Sequence, residues 1–124
     1  MRFMILVKSK ENGGQPPKAL MDEIDQLAAE ATRAGKMVAS GGLAPTAMST
    51  SVRLRGGRLT VVDGPFAEAK EVVGGYAVFD FASKEEAVES TREFMELHRK
   101  HWPGWEGESE IRQLFGPDDF PPRA

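Results

Sequence analysis

The segment Asp63-Gly64-Pro65-Phe66-Ala67-Glu68-Ala69-Lys70-Glu71 crowds four ionisable side chains into nine residues. A carboxylate beside an aromatic at a strand end is partly desolvated, which raises its pKa and suits it to move protons near neutral pH. Asp63 and Glu68 are the candidates for that role. A turn accounts for the same residues without chemistry, with Asp63 bonding to the backbone, Gly64 and Pro65 setting the dihedrals, and Phe66 plugging the core. Arg53, Arg55 and Arg58, with Arg112 further on, offer guanidinium forks that match carboxylates and phosphates. Solvated strand faces carry arginines too, and Arg53 and Arg112 are the two kept as candidate anion ligands. Phe66 and Tyr76 are the candidate aromatic walls of a small-molecule pocket.

The chain has two histidines, His98 and His101. His98 falls on an apolar helical stripe, as a structural histidine near a helix C-terminus does. His101 is less constrained and stands as a candidate ligand-binding residue. Their spacing of three would put both on one helical face, but two neighbouring cations and the lack of any cysteine argue against a metal, and no cofactor is expected. Zero cysteines also exclude disulfides and a thiol nucleophile and fit a cytoplasmic location. A net charge of −3 disfavours nucleic acid as the main partner. The opening apolar run of five residues, Phe3 to Val7, is too short for a signal core or a membrane span.

That run reads instead as a strand buried on both faces and central in a sheet. Glu11 to Pro17 is a loop, and from Lys18 the residues Leu20, Ile24, Leu27 and Ala31 recur at helical spacing until Gly35. Met37 to Leu43 reads as a second strand in which Gly41 and Gly42 mark a bulge or a close approach to the backbone. Between Ser51 and Asp63, a two-residue turn at Gly56-Gly57 would set Leu54 opposite Leu59, Val52 opposite Val61 and Arg53 opposite Thr60, giving one apolar and one basic face. In Tyr76 to Phe81 the residues Ala77, Phe79 and Phe81 should meet helices, leaving Tyr76, Val78 and Asp80 on the other face. Ser83 and Glu86 form a capping box for a second helix, stopped at the latest by Pro103-Gly104. Trp102 and Trp105 should cap a core edge or anchor an interface. Ile111 to Phe115 supplies a last strand, expected to be central, with Arg112 and Glu110 on one face where they can satisfy each other.

This order is the split βαβ of an α+β, ferredoxin-like βαββαβ fold with an extra hairpin, one domain over 1–116 followed by a C-terminal tail over 117–124. Two helices cover one face of such a sheet, and self-association is the economical cover for the other. A homodimer is therefore expected.

The string DGPFAEAKE, with Gly74-Gly75-Tyr76 and Glu110-Ile111-Arg112, closely resembles the signature of the DGPF branch of the YCII-related family. The resemblance runs from the opening strand through Ala44-Pro45 and Val52-Arg53-Leu54 to the last strand. It implies a dimeric α+β barrel, similar to muconolactone-isomerase-type enzymes, in a branch whose biochemical function is largely undefined. Other YCII proteins look as if they use a histidine near the start of helix one with an aspartate; Pro16 to Asp25 holds no histidine here, so that dyad does not carry over. The expectation is a small-molecule-binding protein for a small organic anion or an aromatic, lactone-like compound, with cofactor-independent proton transfer of isomerase or lyase type as the reaction that analogy at the level of the fold offers. The alternative implied by the resemblance is a non-catalytic regulatory or interaction module associated with alternative sigma factors.

Overall fold

The computed structural model describes residues 1–11, 13–66 and 70–120. Strand β1 (Arg2–Ser9) leads to helix α1 (Lys18–Arg33), strand β2 (Met37–Gly42), the ribbon β3 (Thr50–Arg55) and β4 (Arg58–Asp63), strand β5 (Val72–Asp80), helix α2 (Lys84–His101) and strand β6 (Gly107–Gln113). Four strands form an antiparallel sheet in the order β2-β5-β1-β6, and β3 and β4 form a separate two-stranded sheet. This is the ferredoxin-like α+β arrangement with an inserted ribbon.

The apolar opening run is internal to the sheet, between β5 and β6. Registers Phe3↔Phe79 and Ile5↔Ile111 put these side chains on the helix-covered face. There Phe3, Ile5, Phe81 and Ala87 form the core, flanked by Phe79 and Ile111. On the opposite face Val78 is buried, while Met4, Leu6 and Tyr76 are half-buried. The expectation that β6 is also central does not hold: β5 occupies one side of β1, and β6 takes the remaining side as an edge strand.

Helix α1 buries its stripe through Leu20. It ends where the Lys36 amide donates to the Ala31 carbonyl and the Gly35 amide to that of Thr32, with Gly35 at φ +72°. A left-handed residue after the last turn is the place for glycine. At the start of α2 the Ser83 hydroxyl accepts from the Glu86 amide at 3.1 Å, but the Glu86 carboxylate pairs with Lys36 at 3.0 Å, so half of the expected capping box is diverted to a tertiary contact. The bulge expected in β2 lies at Val38, the residue skipped between the pairs Met37↔Phe79 and Ala39↔Val78. The close approach is at Gly41, where a Cβ would stand 3.0 Å from the Tyr76 ring.

The ribbon has the expected register, Leu54↔Leu59, Val52↔Val61 and Arg53↔Thr60, about a turn whose Gly56 and Gly57 both have positive φ. Such turns match the right-handed twist of the strands they join. Val52, Leu54, Leu59 and Val61 are 67–73% exposed.

Candidate functional site

The turn after β4 is assembled from three separate stretches of chain. At the foot of the ribbon Asp63 is paired with Thr50, whose hydroxyl donates to the Asp63 carboxylate at 2.9 Å; among the described residues the expected bond from the backbone is not made. The Gly64 amide extends the ladder by one bond, to the Ser49 carbonyl at 2.8 Å. This brings Gly64 against the short 3₁₀ turn at Thr46–Met48, so closely that a Cβ on Gly64 would lie 1.7 Å from the Thr46 carbonyl oxygen. The Gly64-Pro65 peptide is cis.

Thr46 organises the next layer. Its amide and its hydroxyl both donate to the carboxylate of Glu11, and the hydroxyl in turn accepts from the Phe66 amide at 3.4 Å. These two bonds, the hydroxyl's above all, hold the Glu11 carboxyl below the usual carboxylate range. The Arg53 guanidinium lies 5.8 Å from the centre of the Phe66 ring, within the range of a cation–π contact. Strand alternation separates the charges of Asp63 and Arg53. Asp63 shares its face with Thr50, Val52 and Val61, and Arg53 lies on the other face. Glu68, the second candidate acid or base, lies outside the described residues.

Tyr76 and Arg112 both belong to the helix-free face of the four-stranded sheet. The registers place Tyr76, Leu6 and Glu110 in one row across it and Val78, Met4 and Arg112 in the next. Glu110 and Arg112 share that face as alternation requires, and they do satisfy each other. Glu110 lies between Arg112, its closest partner, and Lys8 at 2.5 Å. Hydrogen bonds from Arg112 first and Lys8 second lower the Glu110 carboxyl to about 2. The face thus has an apolar floor with an aromatic phenol at one side and an ionic row at the other.

The histidines are elsewhere. His98 is buried, its ring 4.6 Å from those of Phe94 and Trp105. Its Nδ1 lies 3.0 Å from the Phe94 carbonyl, and a carbonyl only accepts, so Nδ1 carries the proton of the neutral ring. Burial pushes its pKa down, with the Phe94 bond opposing. Trp105 also stacks on Trp102 at 5.8 Å, so the tryptophan pair caps the end of α2. His101 Nε2 is buried without a hydrogen-bond partner among the described residues, 3.9 Å from a Glu23 oxygen on α1. It belongs to the helix layer, on the opposite side of the sheet from Tyr76 and Arg112.

The seven sequence candidates therefore fall into separate groups: Asp63, Arg53 and Phe66 at the turn, Tyr76 and Arg112 on the bare sheet face, His101 among the helices, and Glu68 undescribed. Glu11 and Thr46, which hold the turn together, were not singled out by the sequence. Glu11 sits in a polar loop 35 residues before its partner, and nothing in its neighbourhood announces the contact.

An antiparallel ferredoxin-like sheet with helices on one face, an inserted ribbon and an ion-paired rim defines a small α+β protein. The chain belongs to the YCII-related family, whose model, described as the YCII-related domain, matches residues 1–95. It is also similar to an uncharacterized protein of Rhizobium meliloti (strain 1021), 30% identical over 104 residues that make up 82% of this chain and 80% of that one. The matched family region includes the turn and Tyr76 but ends before His101 and Arg112.

Proposed function

We propose that the protein is a homodimer that binds a small organic anion or an aromatic, lactone-like compound between the bare sheet face of one copy and the apolar ribbon face of the other. The observation that carries this reading is the pair of uncovered surfaces. The four ribbon side chains are about seven-tenths exposed, and on the helix-free face of the sheet Met4, Leu6 and Tyr76 are half-buried. Burying an apolar side chain of this size contributes roughly 1.5–3 kcal/mol. Asp63 lies at the foot of the ribbon's apolar face, so in such a dimer its carboxylate faces the enclosed space, where it or Glu68 moves a proton in an isomerase- or lyase-type step without a cofactor. Tyr76 and Phe66 shape the walls. Arg112 is the better placed of the two arginines to hold a ligand's negative charge, since Arg53 lies on the ribbon's other face. A bound anion would share Arg112 with Glu110. Among the described residues no helix is long and apolar enough to cross a membrane, and the reading places the protein in the cytoplasm.

The exposed ribbon also suits a regulatory or interaction module that docks another protein, and an Asp63→Asn variant separates the two. The test is a thermal-shift screen of native and Asp63→Asn protein against small organic acids, phenols and lactones. A ligand at about a hundred times its dissociation constant adds roughly 2.7 kcal/mol of stability, a rise of several degrees. The site reading expects a hit that survives in Asp63→Asn, with turnover of the hit lost. Silence across the panel moves the reading to the interaction module, for which the Asp63 carboxylate is dispensable.

A further inference from the structure

The helix layer does not close onto the sheet everywhere. Beneath α1 the helix-facing positions of β2 and β5 are Ser40, Gly42, Gly75 and Ala77, paired as Ser40↔Ala77 and Gly42↔Gly75. The helix above them turns Ala28, Ala31 and Ala34 toward the same space. Small residues on both walls leave a cavity of about 630 Å³ between α1, α2 and the sheet. Close packing is the rule inside proteins, and an apolar void forfeits contacts on every side of its lining. A volume of this size lies within the range of small-molecule sites. The apolar lining comes from Ile5, Ile24, Leu27, Phe79 and Phe94.

The solvent side of the cavity is acidic. Asp25, Glu30 and Glu93 line it and are exposed, and among the described residues none of them is paired with a cation. Lys36, the cation on the lining, is engaged by Glu86 at 3.0 Å. We infer that this cavity is a second binding site, on the helix side of the sheet, away from Arg112 and reaching Gly41 and Tyr76 only at its margin, and that it takes a small hydrophobic amine whose apolar body fills the space between α1, α2 and the sheet while its ammonium is drawn to the acidic rim that Asp25, Glu30 and Glu93 supply. An anionic ligand of the same shape is repelled there, so the two sites differ in the sign of charge they accept as well as in location.

The experiment titrates the full chain at neutral pH with 4-phenylbutylamine, 4-phenylbutanol and 4-phenylbutyrate, isosteres that differ in head-group charge. It is read by calorimetry and by the methyl resonances of carbon-13-labelled methionines. Exposed ion pairs are individually weak, so the negative rim is expected to make the amine about fivefold tighter than the alcohol and at least about tenfold tighter than the carboxylate. Met21 and Met37 line the cavity and should shift on binding, while Met48, exposed on the 3₁₀ turn, should not. Neutralising the rim with Asp25→Asn, Glu30→Gln and Glu93→Gln should remove the preference for amine and leave the alcohol's affinity unchanged. Ala31→Phe should fill the cavity and abolish binding of all three, with Ala28→Leu as the replacement if circular dichroism shows that variant unfolded. Absence of saturable binding by all three compounds overturns the inference. So does a methyl pattern that moves Met48 but not Met21 and Met37, or a carboxylate that binds as well as the amine.

Discussion

Gly64 is required for space and not for backbone freedom: its φ is not in the left-handed region, yet a Cβ there would lie 1.7 Å from a backbone oxygen. Because that oxygen belongs to Thr46, whose amide and hydroxyl hold Glu11, any displacement propagates into the whole turn. Gly64→Ala is therefore expected to cost roughly 1–3 kcal/mol or more, as other overpacking changes do. Gly74→Ala is the control, since nothing lies within 4 Å of the Cβ it would add. Urea midpoints compare the two, and equal midpoints would remove the close approach as the reason for the glycine. The sequence pointed to this turn and to the partners that local alternation supplies. It did not show Glu11 and Thr46, because a contact across 35 residues leaves no trace in composition or spacing nearby.

At the scale of an element, α2 carries its own pH dependence. His98 is buried between aromatic rings with its pKa lowered from 6.5, chiefly by burial. The unfolded chain then takes up the proton first. Stability is full above about pH 6.5 and declines as pH falls below it toward the lower folded value. Urea midpoints at pH 7.5, 6.5 and 5.5 should show this decline in the native chain and in His101→Gln. His98→Gln should be less stable at pH 7.5 but have a flatter profile; an unchanged slope in His98→Gln would assign it to another group. Elements with a local signature were legible: the helical stripes, the Gly56-Gly57 ribbon register and the Ser83 cap follow from spacing alone. Sheet order is different. The alternation of Glu110, Ile111 and Arg112 says which residues share a face but not whether the strand has one neighbour or two, and that is decided by the strand already occupying the other side of β1. Glu86 left its cap for the same kind of reason, a lysine brought near by the fold.

The molecule as a whole presents two apolar surfaces without partners among the described residues, the ribbon face and the bare side of the sheet. If one covers the other between copies, Leu54→Lys should shift the protein from dimer to monomer in sedimentation equilibrium at micromolar concentration, with an unchanged far-ultraviolet spectrum. A native chain that sediments as a monomer would remove the dimer and the enclosed site with it. The ribbon adds a quantitative consequence. It pairs with no strand of the four-stranded sheet, and a two-stranded hairpin alone in water is marginal. When ligand capture depends on a ribbon donated by a second chain, dilution below the pairing threshold makes the amount of bound ligand fall with the square of chain concentration. Doubling expression in that regime would quadruple the amount of ligand held, which gives the cell a steeper control over a small metabolite than a one-chain binder provides.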